Sequence, residues 1–195
     1  HRYGRRQRQM CIRDRAKDNQ TWLYLSALGK VKRIAGGNEE TSEPASLFGS
    51  EFTTEDTDTG KLSEYTFRIL SETKINDRLV WQIESIPNKS RKARTRYART
   101  VSYVDKTRYV ILRSEMYDKY DNEIKRMIGS RVERVNDVWL TRSMTMMNLV
   151  TNRLSNMAFL SIDNGIIVSE YFFTKRSLED AAFREAHLKD IRDQI

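Results

Sequence analysis

Apolar and polar residues alternate along residues 97–162 with the two-residue period of β-strands. Short polar connections divide this stretch into five predicted strands, at residues 97–104, 109–117, 123–135, 138–147 and 152–162. Connections this short join antiparallel neighbours, because a parallel crossover needs about a dozen residues or more. The pattern therefore predicts an antiparallel meander.

Two more hairpins precede the meander. Residues 21–25 and 30–35 predict one hairpin, and residues 65–72 and 79–86 predict another around the turn pair Asn76-Asp77. After the meander, residues 170–174 predict one short edge strand. A C-terminal helix is expected from Ser177, which with Asp180 has the spacing of a capping box. The predicted fold class is mainly β, with an antiparallel sheet followed by this helix.

The alternation assigns one face of the meander to apolar contacts. Val110, Leu112 and Met116 are expected to point one way, with Arg113 and Glu115 opposite. The other members of this face come from the fourth strand: Val138, Leu140, Met144 and Met146. Methionine adapts to irregular apolar ligands, although a stripe of methionines and aromatics is more often ordinary core.

An acidic loop supplies the expected cover for this face. Residues 36–60 contain seven carboxylates and no Lys or Arg, and they enclose the short apolar segment LFGSEF at residues 47–52. Large aromatic side chains are costly to leave in water, so Phe48 and Phe52 are expected to plug the apolar surface. Gly49 between them favours a tight turn.

Composition adds that the chain is a globular protein with a large charged surface. It is 38% hydrophobic and 32% charged, and its 195 residues are enough for one domain with a substantial core. Residues 1–15 carry +5 of the formal net charge of +8. We interpret residues 1–15 as a non-native basic tail, residues 16–176 as the β domain and residues 177–195 as the C-terminal helix.

The residues that catalysis or metal binding requires are sparse. The two histidines, His1 and His187, and the single cysteine, Cys11, do not form a metal-ligand set. No glycine-rich phosphate loop and no Gly-x-Ser-x-Gly motif occur. The paired carboxylates around Glu55 and Asp56 are more typical of a solvated loop than of hydrolysis. We therefore expect neither an enzyme nor a cofactor.

The basic run KSRKARTRYAR at residues 89–99 is the best alternative signal. It could follow a phosphate backbone while Tyr97 and Tyr103 stack on bases, which would make the protein a nucleic-acid-binding β domain. It could equally be a solvated loop, or it could pair with the acidic residues 36–60 within the molecule or across a partner. A ligand-free interaction scaffold with a filled core is a further alternative.

Several sequence runs, in the right order, resemble one family. Residues 22–25 (WLYL), 30–34 (KVKRI) and 47–56 (LFGSEFTTED) are similar to "W-x-Y-L-P…K-V-R-R-I…F-x-G-S-D-F-x-Y-E-D" of the outer-membrane lipoprotein-sorting (LolA-like) proteins. Residues 101–106 (VSYVDK) resemble "V-L-W-V-D-K", and residues 109–118 (YVILRSEMYD) resemble "Y-L-P-L-K-V-E-Y-Y-D". Trp139, Met144, Met146 and Asn148 fall where "W-x-P-x-x-M-x-M-x-N" has them.

This resemblance covers about residues 17–176 and implies both a fold and a function. The implied fold is an incomplete, strongly curved antiparallel β-barrel, or half-barrel. Its concave side would hold lipid or lipoprotein acyl chains in the periplasm. The implied partners are an outer-membrane acceptor or a membrane exporter of the RND (MMPL-like) type. The expected lining is the apolar face defined above, with Phe48 and Phe52 as a mobile plug.

Overall fold

The computed structural model describes residues 21–25, 30–34, 46–47, 49–57, 61–163 and 165–194. The chain forms two compact units. The first contains residues 46–57 and a seven-stranded sheet, and the second contains a small hairpin and the C-terminal helices. The basic tail, the turn at residues 27–29 and Phe48 lie outside the described residues.

The seven-stranded sheet is an antiparallel meander in which each strand pairs with its neighbours in sequence. Its strands are β3 (Tyr65–Ile75), β4 (Arg78–Pro87), β5 (Arg99–Asp105), β6 (Ile111–Tyr117), β7 (Glu123–Val135), β8 (Val138–Asn148) and β9 (Arg153–Ala158). The two-residue turn between β3 and β4 has positive φ at both Asn76 and Asp77, the backbone that such a turn requires. The predicted open antiparallel sheet is confirmed, and β7 has the predicted bounds.

Short helices flank the strands of this unit. Helix α1 (Thr54–Thr57) lies within the acidic residues 36–60, a 3-10 turn (Leu62–Glu64) precedes β3, and α2 (Lys89–Lys92) lies in the basic run. The Asn88 side chain caps α2 by accepting a hydrogen bond from the Arg91 backbone N–H at 2.9 Å. The basic run is therefore a folded connection between β4 and β5.

The second unit contains the antiparallel pair β1 (Thr21–Leu25) and β2 (Lys30–Ile34), as predicted. Helix α3 (Lys175–Glu179) contacts both of these strands and is followed by α4 (Ala181–Arg192). Asp180, between the two helices, has extended backbone angles, and its carboxylate accepts from the Phe183 N–H at 3.0 Å. Asp180 is therefore the cap of α4.

Two predictions for the C-terminal region are wrong. Residues 170–174 do not form an edge strand; Glu170–Phe173 is a 3-10 turn whose start is capped by the Ser169 hydroxyl. The helix expected from Ser177 begins earlier, at Lys175, and breaks at Asp180. Ser177 is buried inside α3, so the capping box assigned to it is absent.

Apolar side chains form two core clusters, one on each face of the seven-stranded sheet. One cluster contains Val80, Val101, Tyr103, Val110 and Leu112. The other contains Phe52, Met116 and Met146, with Leu47, Tyr97, Met127, Met144 and Met157 packed against it. We call the two sides the tyrosine face and the methionine face.

Candidate functional site

The structure divides the predicted apolar face between the two sides of the sheet. Met116, Met144 and Met146 lie on the methionine face, whereas Val110 and Leu112 belong to the cluster on the tyrosine face. The prediction that Val110 and Leu112 share a surface with Met116 is therefore wrong.

A β-bulge in β6 explains this error. Tyr103 pairs with Arg113 and Val104 pairs with Ile111, which leaves Leu112 as an extra residue without a partner on β5. A bulged residue does not follow the alternation of its strand. Sequence alternation alone carries Leu112 to the wrong face, because nothing in the apolar pattern marks the extra residue.

The methionine face can be followed across the whole sheet through the strand register, because directly paired residues project to the same side. One continuous row crosses all seven strands: Ile69, Ile83, Ser102, Ser114, Met127, Met146 and Ser155. A second row runs beside it: Phe67, Ser85, Thr100, Met116, Lys125, Asn148 and Arg153.

Short side chains occupy the middle of this face and long ones occupy its sides. The centre is made of Ser85, Thr100, Ser102 and Ser114, and the Ser102 and Ser114 hydroxyls are 3.0 Å apart. Methionines lie on the β7–β9 side. Phe67 and Ile69, on the β3 side, are exposed.

Residues 46–57, which we call the cover loop, contact the part of the methionine face that is formed by strands β6 to β9. A bridge between Ser46 and Thr53 closes the loop, and the Leu47 N–H donates to the Phe52 carbonyl at 2.8 Å. Gly49 has φ +71°, as expected for the predicted tight turn. Phe52 is only 4% exposed and Met146 is 0% exposed, so Phe52 covers the methionines.

Two carboxylates fasten the cover loop at its rim. Glu51 accepts from Asn148 Nδ2 at 2.8 Å and pairs with Arg153 Nε at 3.2 Å, and its backbone N–H donates to the Ser155 hydroxyl at 3.0 Å. Asp56 forms the second attachment. Both carboxylates and Asn148 belong to the sequence runs that carry the family resemblance.

Asp56 is the more deeply buried of the two attachments. Its Oδ2 accepts from Lys125 Nζ at 2.8 Å and its Oδ1 accepts from the Tyr97 hydroxyl at 2.6 Å. The side chains of Asp56 and Lys125 are 1% and 9% exposed. Burial, together with the neighbouring Asp56 carboxylate, raises the pKa of Tyr97 far above its ordinary value, so the phenol remains a donor.

The basic run is paired with acidic residues of the same unit. Thr95 Oγ1 and the Arg96 backbone N–H donate to Glu55, and burial raises the pKa of Glu55 despite these hydrogen bonds. The Arg94 side chain pairs with Glu64. Glu55 of the acidic residues 36–60 thus meets the basic run through Thr95 and the Arg96 backbone, whereas the charged partner of Arg94 lies outside that segment.

The remaining predicted lining residues lie away from the cover loop. Val138, at the start of β8, is 50% exposed, and Leu140 is half-buried opposite Glu133. The role of all these residues in ligand binding stays a prediction.

Sequence reasoning missed Lys125 and Tyr97 as parts of this site. A signal for Lys125 was present, since alternation along β7 puts it on the same face as Met127. A buried lysine on the methionine face needs an anionic partner, and the carboxylates of residues 36–60 were candidates for it. Tyr97 carried no such signal. It begins the predicted strand 97–104, but β5 begins at Arg99, so alternation along the strand does not give the face of Tyr97.

The described residues contain no group of three or more His, Cys, Asp or Glu side chains that could hold a metal ion. None of their helices has the length and apolar character needed to cross a membrane.

Comparisons with known proteins relate this chain to one family model and to several solved structures. A family model described as an uncharacterized protein matches residues 4–180. An outer membrane lipoprotein-sorting protein domain from Vibrio parahaemolyticus is 28% identical, with a TM-score of 0.73. A DUF1329 family protein from Desulfovibrio piger is 25% identical, with a TM-score of 0.65. No protein with curated annotation matches.

A more distant structure extends the fold relationship. A LolA superfamily protein from Nitrosomonas europaea is 12% identical, with a TM-score of 0.51, and so shares the fold alone. The matches cover 84%, 83% and 82% of this chain. The chain spans about two thirds of each solved chain, namely 67%, 65% and 68%.

Proposed function

The chain belongs to the family whose model matches residues 4–180, and from this premise and its similarity to an outer membrane lipoprotein-sorting protein domain we propose that it is a carrier of acyl chains. The carrier would act in the periplasm and hold lipid or lipoprotein chains on the methionine face. An outer-membrane acceptor or an RND-type exporter would be its partner. The activity is binding and release, without a chemical step.

One observation carries this proposal: among the described residues of the cover loop, Phe52 and Leu47 are the two that pack on the methionine cluster. Glu51 and Asp56 attach the rim of the loop by polar contacts. Beyond the loop, the same face continues to the exposed side chains of β3. A ligand could therefore enter from the exposed side and displace the loop.

The energies permit such an exchange. Burying each methylene contributes about 0.8 kcal/mol, so a chain of about 14 carbons could contribute roughly 10 kcal/mol before binding costs. Exposing Phe52 loses about 2–3 kcal/mol of burial energy. Methionine side chains can adjust to either occupant because they are unbranched and flexible.

The test is a binding titration with a fluorescent acyl probe. Met144→Lys combined with Met146→Lys would place two charges on the proposed surface, and we expect the probe affinity to fall by about tenfold or more. Met147→Lys combined with Thr145→Lys is the matched control, because these neighbours on β8 project to the opposite face. Circular dichroism and thermal unfolding check that each variant folds.

Equal probe affinity in both folded double variants would refute the assigned face. If the first variant does not fold, Met127→Gln provides a milder change on the neighbouring strand. An unchanged affinity in that variant, with a loss in the control, would also refute the proposal.

A further inference from the structure

A row of hydrogen-bond donors crosses one end of the methionine face. Lys125, Asn148 and Arg153 are direct cross-strand partners on β7, β8 and β9, and Met116 on β6 continues their row. The adjacent row on the same face contains Met127 and Met146. An acyl chain lying on the methionines would therefore have these donors at its end.

Each donor in this row is now bound to a carboxylate of the cover loop. Lys125 donates to Asp56, and Asn148 and Arg153 contact Glu51. The Tyr97 hydroxyl also donates to Asp56, and the backbone N–H and hydroxyl of Thr53 donate to it from within the cover loop. If the loop leaves the face, Lys125 and Tyr97 both lose their acceptor.

We propose that this row is a head-group subsite for an anionic amphiphile, and that Asp56 and Glu51 hold the place of the anionic head group while the site is empty. This inference rests on the proposed function and adds the ligand class. A carboxylate or phosphate head group would replace the loop carboxylates at Lys125, with the acyl chain on the methionines.

The physical basis is the cost of burying an unpaired charge. A lysine ammonium covered by apolar groups needs a compensating anion, and removing one partner of a buried ion pair is strongly unfavourable. Exchange of the Asp56 carboxylate for a ligand anion keeps the local charge constant. A neutral alcohol or ester would leave Lys125 without a compensating anion, so it should bind less well.

Competition with the acyl probe tests this inference. Dodecanoate and dodecyl phosphate are compared with dodecanol and methyl dodecanoate, which carry the same acyl or alkyl chain without the charge. In the wild-type protein we expect the anionic compounds to displace the probe at concentrations about tenfold lower than the neutral ones. Inorganic phosphate alone should not displace it.

Two variants assign the preference to Lys125. Lys125→Met combined with Asp56→Asn removes both partners of the buried pair, so it avoids an unpaired charge, and it should reduce the preference to within about twofold. Arg126→Met is the matched control, since Arg126 lies next to Lys125, projects to the opposite face and pairs with Glu123. The control should keep the full preference.

The possible failures are distinguishable. Equal displacement by dodecanoate and dodecanol, or displacement by inorganic phosphate as effective as that by dodecyl phosphate, would overturn the head-group subsite and leave acyl binding intact. An unchanged preference in the double variant would also overturn it. Absence of acyl-probe binding to the wild-type protein would overturn the proposed function itself.

Discussion

At the scale of single residues, Asp105 organises the turn between β5 and β6. Its side chain is 1% exposed and accepts hydrogen bonds from Arg78, from Arg108 Nε at 2.8 Å and from the Thr107 hydroxyl at 2.8 Å. The backbone N–H groups of Thr107 and Arg108 also donate to it. The aspartate in the family-like run VSYVDK is thus a structural residue.

Asp105→Asn should lower the free energy of unfolding by about 3 kcal/mol at neutral pH, because two arginines lose their buried anion. Burial alone would raise the pKa of Asp105, but the hydrogen bonds outweigh it and hold the pKa well below its ordinary value. The stabilisation is therefore complete above about pH 4 and is lost as the pH falls further.

Urea unfolding of the wild type and of Asp105→Asn at several pH values measures how the stabilisation by Asp105 depends on pH. The difference between them should shrink below about pH 4. Asp137→Asn, at an exposed turn position, is the control and should change little. A difference that grows as the pH falls would contradict the assignment.

Gly129 is required by the close approach of β6 and β7. A Cβ at this position would lie 2.7 Å from the Ile111 carbonyl oxygen and 3.1 Å from Thr141 Cγ2. We expect Gly129→Ala to destabilise the protein by about 1–3 kcal/mol, because a backbone atom must move. Denaturant unfolding measures this, with Ser130→Ala as the neighbouring control; equal stability of the two variants would contradict it.

At the scale of elements, turn chemistry and alternation predicted the strands well. The polar connections and the pair Asn76-Asp77 are local signals, and they determine where the strands of a meander end. The C-terminal caps were harder to predict, because Ser177 and Asp180 are both good caps. Backbone geometry selects Asp180 for α4, and the sequence spacing alone does not distinguish the two.

The candidate site was predictable only in part, because it depends on long-range contacts. Phe52 was expected to act as a plug, and the structure places it on Met116 and Met146. The bulge at Leu112 and the pairing of Lys125 with Asp56, which are 69 residues apart, depend on register between distant segments. The bulge has no local sequence signal, and alternation along β7 indicates the face of Lys125 but not its partner.

The cover loop should open more easily without the Phe52 side chain. Phe52→Ala removes an aromatic side chain that packs with Met116 and Met146, and it should destabilise the closed form of the loop by about 3 kcal/mol. Limited proteolysis should then cleave within residues 46–57 faster than in the wild type, while the acyl probe binds more tightly. Phe67→Ala, on the exposed side of the same face, is the control.

A simultaneous change in the cleavage of the sheet and in the probe affinity would contradict a displaceable loop. If Phe52→Ala raised cleavage throughout the sheet and lowered probe affinity, Phe52 would be part of a permanent core. The interaction-scaffold alternative would then gain support.

At the scale of the whole molecule, residues of the acidic segment 36–60 and of the basic run 89–99 contact each other within the fold. Glu55 and Asp56 meet residues 95–97, and Arg94 meets Glu64. Arg99 pairs with Asp121 at 2.6 Å and lies 3.6 Å over the Tyr117 ring. The number of lysines and arginines in residues 89–99 therefore overstates the cations available to a partner.

This pairing leads to a prediction about nucleic acid. If the six cations of residues 89–99 all contacted phosphates, the logarithm of affinity would fall with the logarithm of salt at a slope of about −5. Because Arg91, Arg94 and Arg99 are paired internally, at most three cations of this run would contact phosphates. We therefore expect Lys89→Gln, Lys92→Gln and Arg96→Gln together to change the measured slope by no more than about three units.

The internal ion pairs of Arg94 and Arg99 also predict that replacing these two arginines lowers the stability of the fold. Arg94→Gln combined with Arg99→Gln should lower the free energy of unfolding by about 1–2 kcal/mol, since Glu64 and Asp121 each lose one cationic partner. Arg134→Gln, at an exposed turn, should change it little. Loss of a steep salt dependence in the triple variant, with full stability in the double variant, would instead assign residues 89–99 to nucleic-acid binding, because only free cations could produce both results.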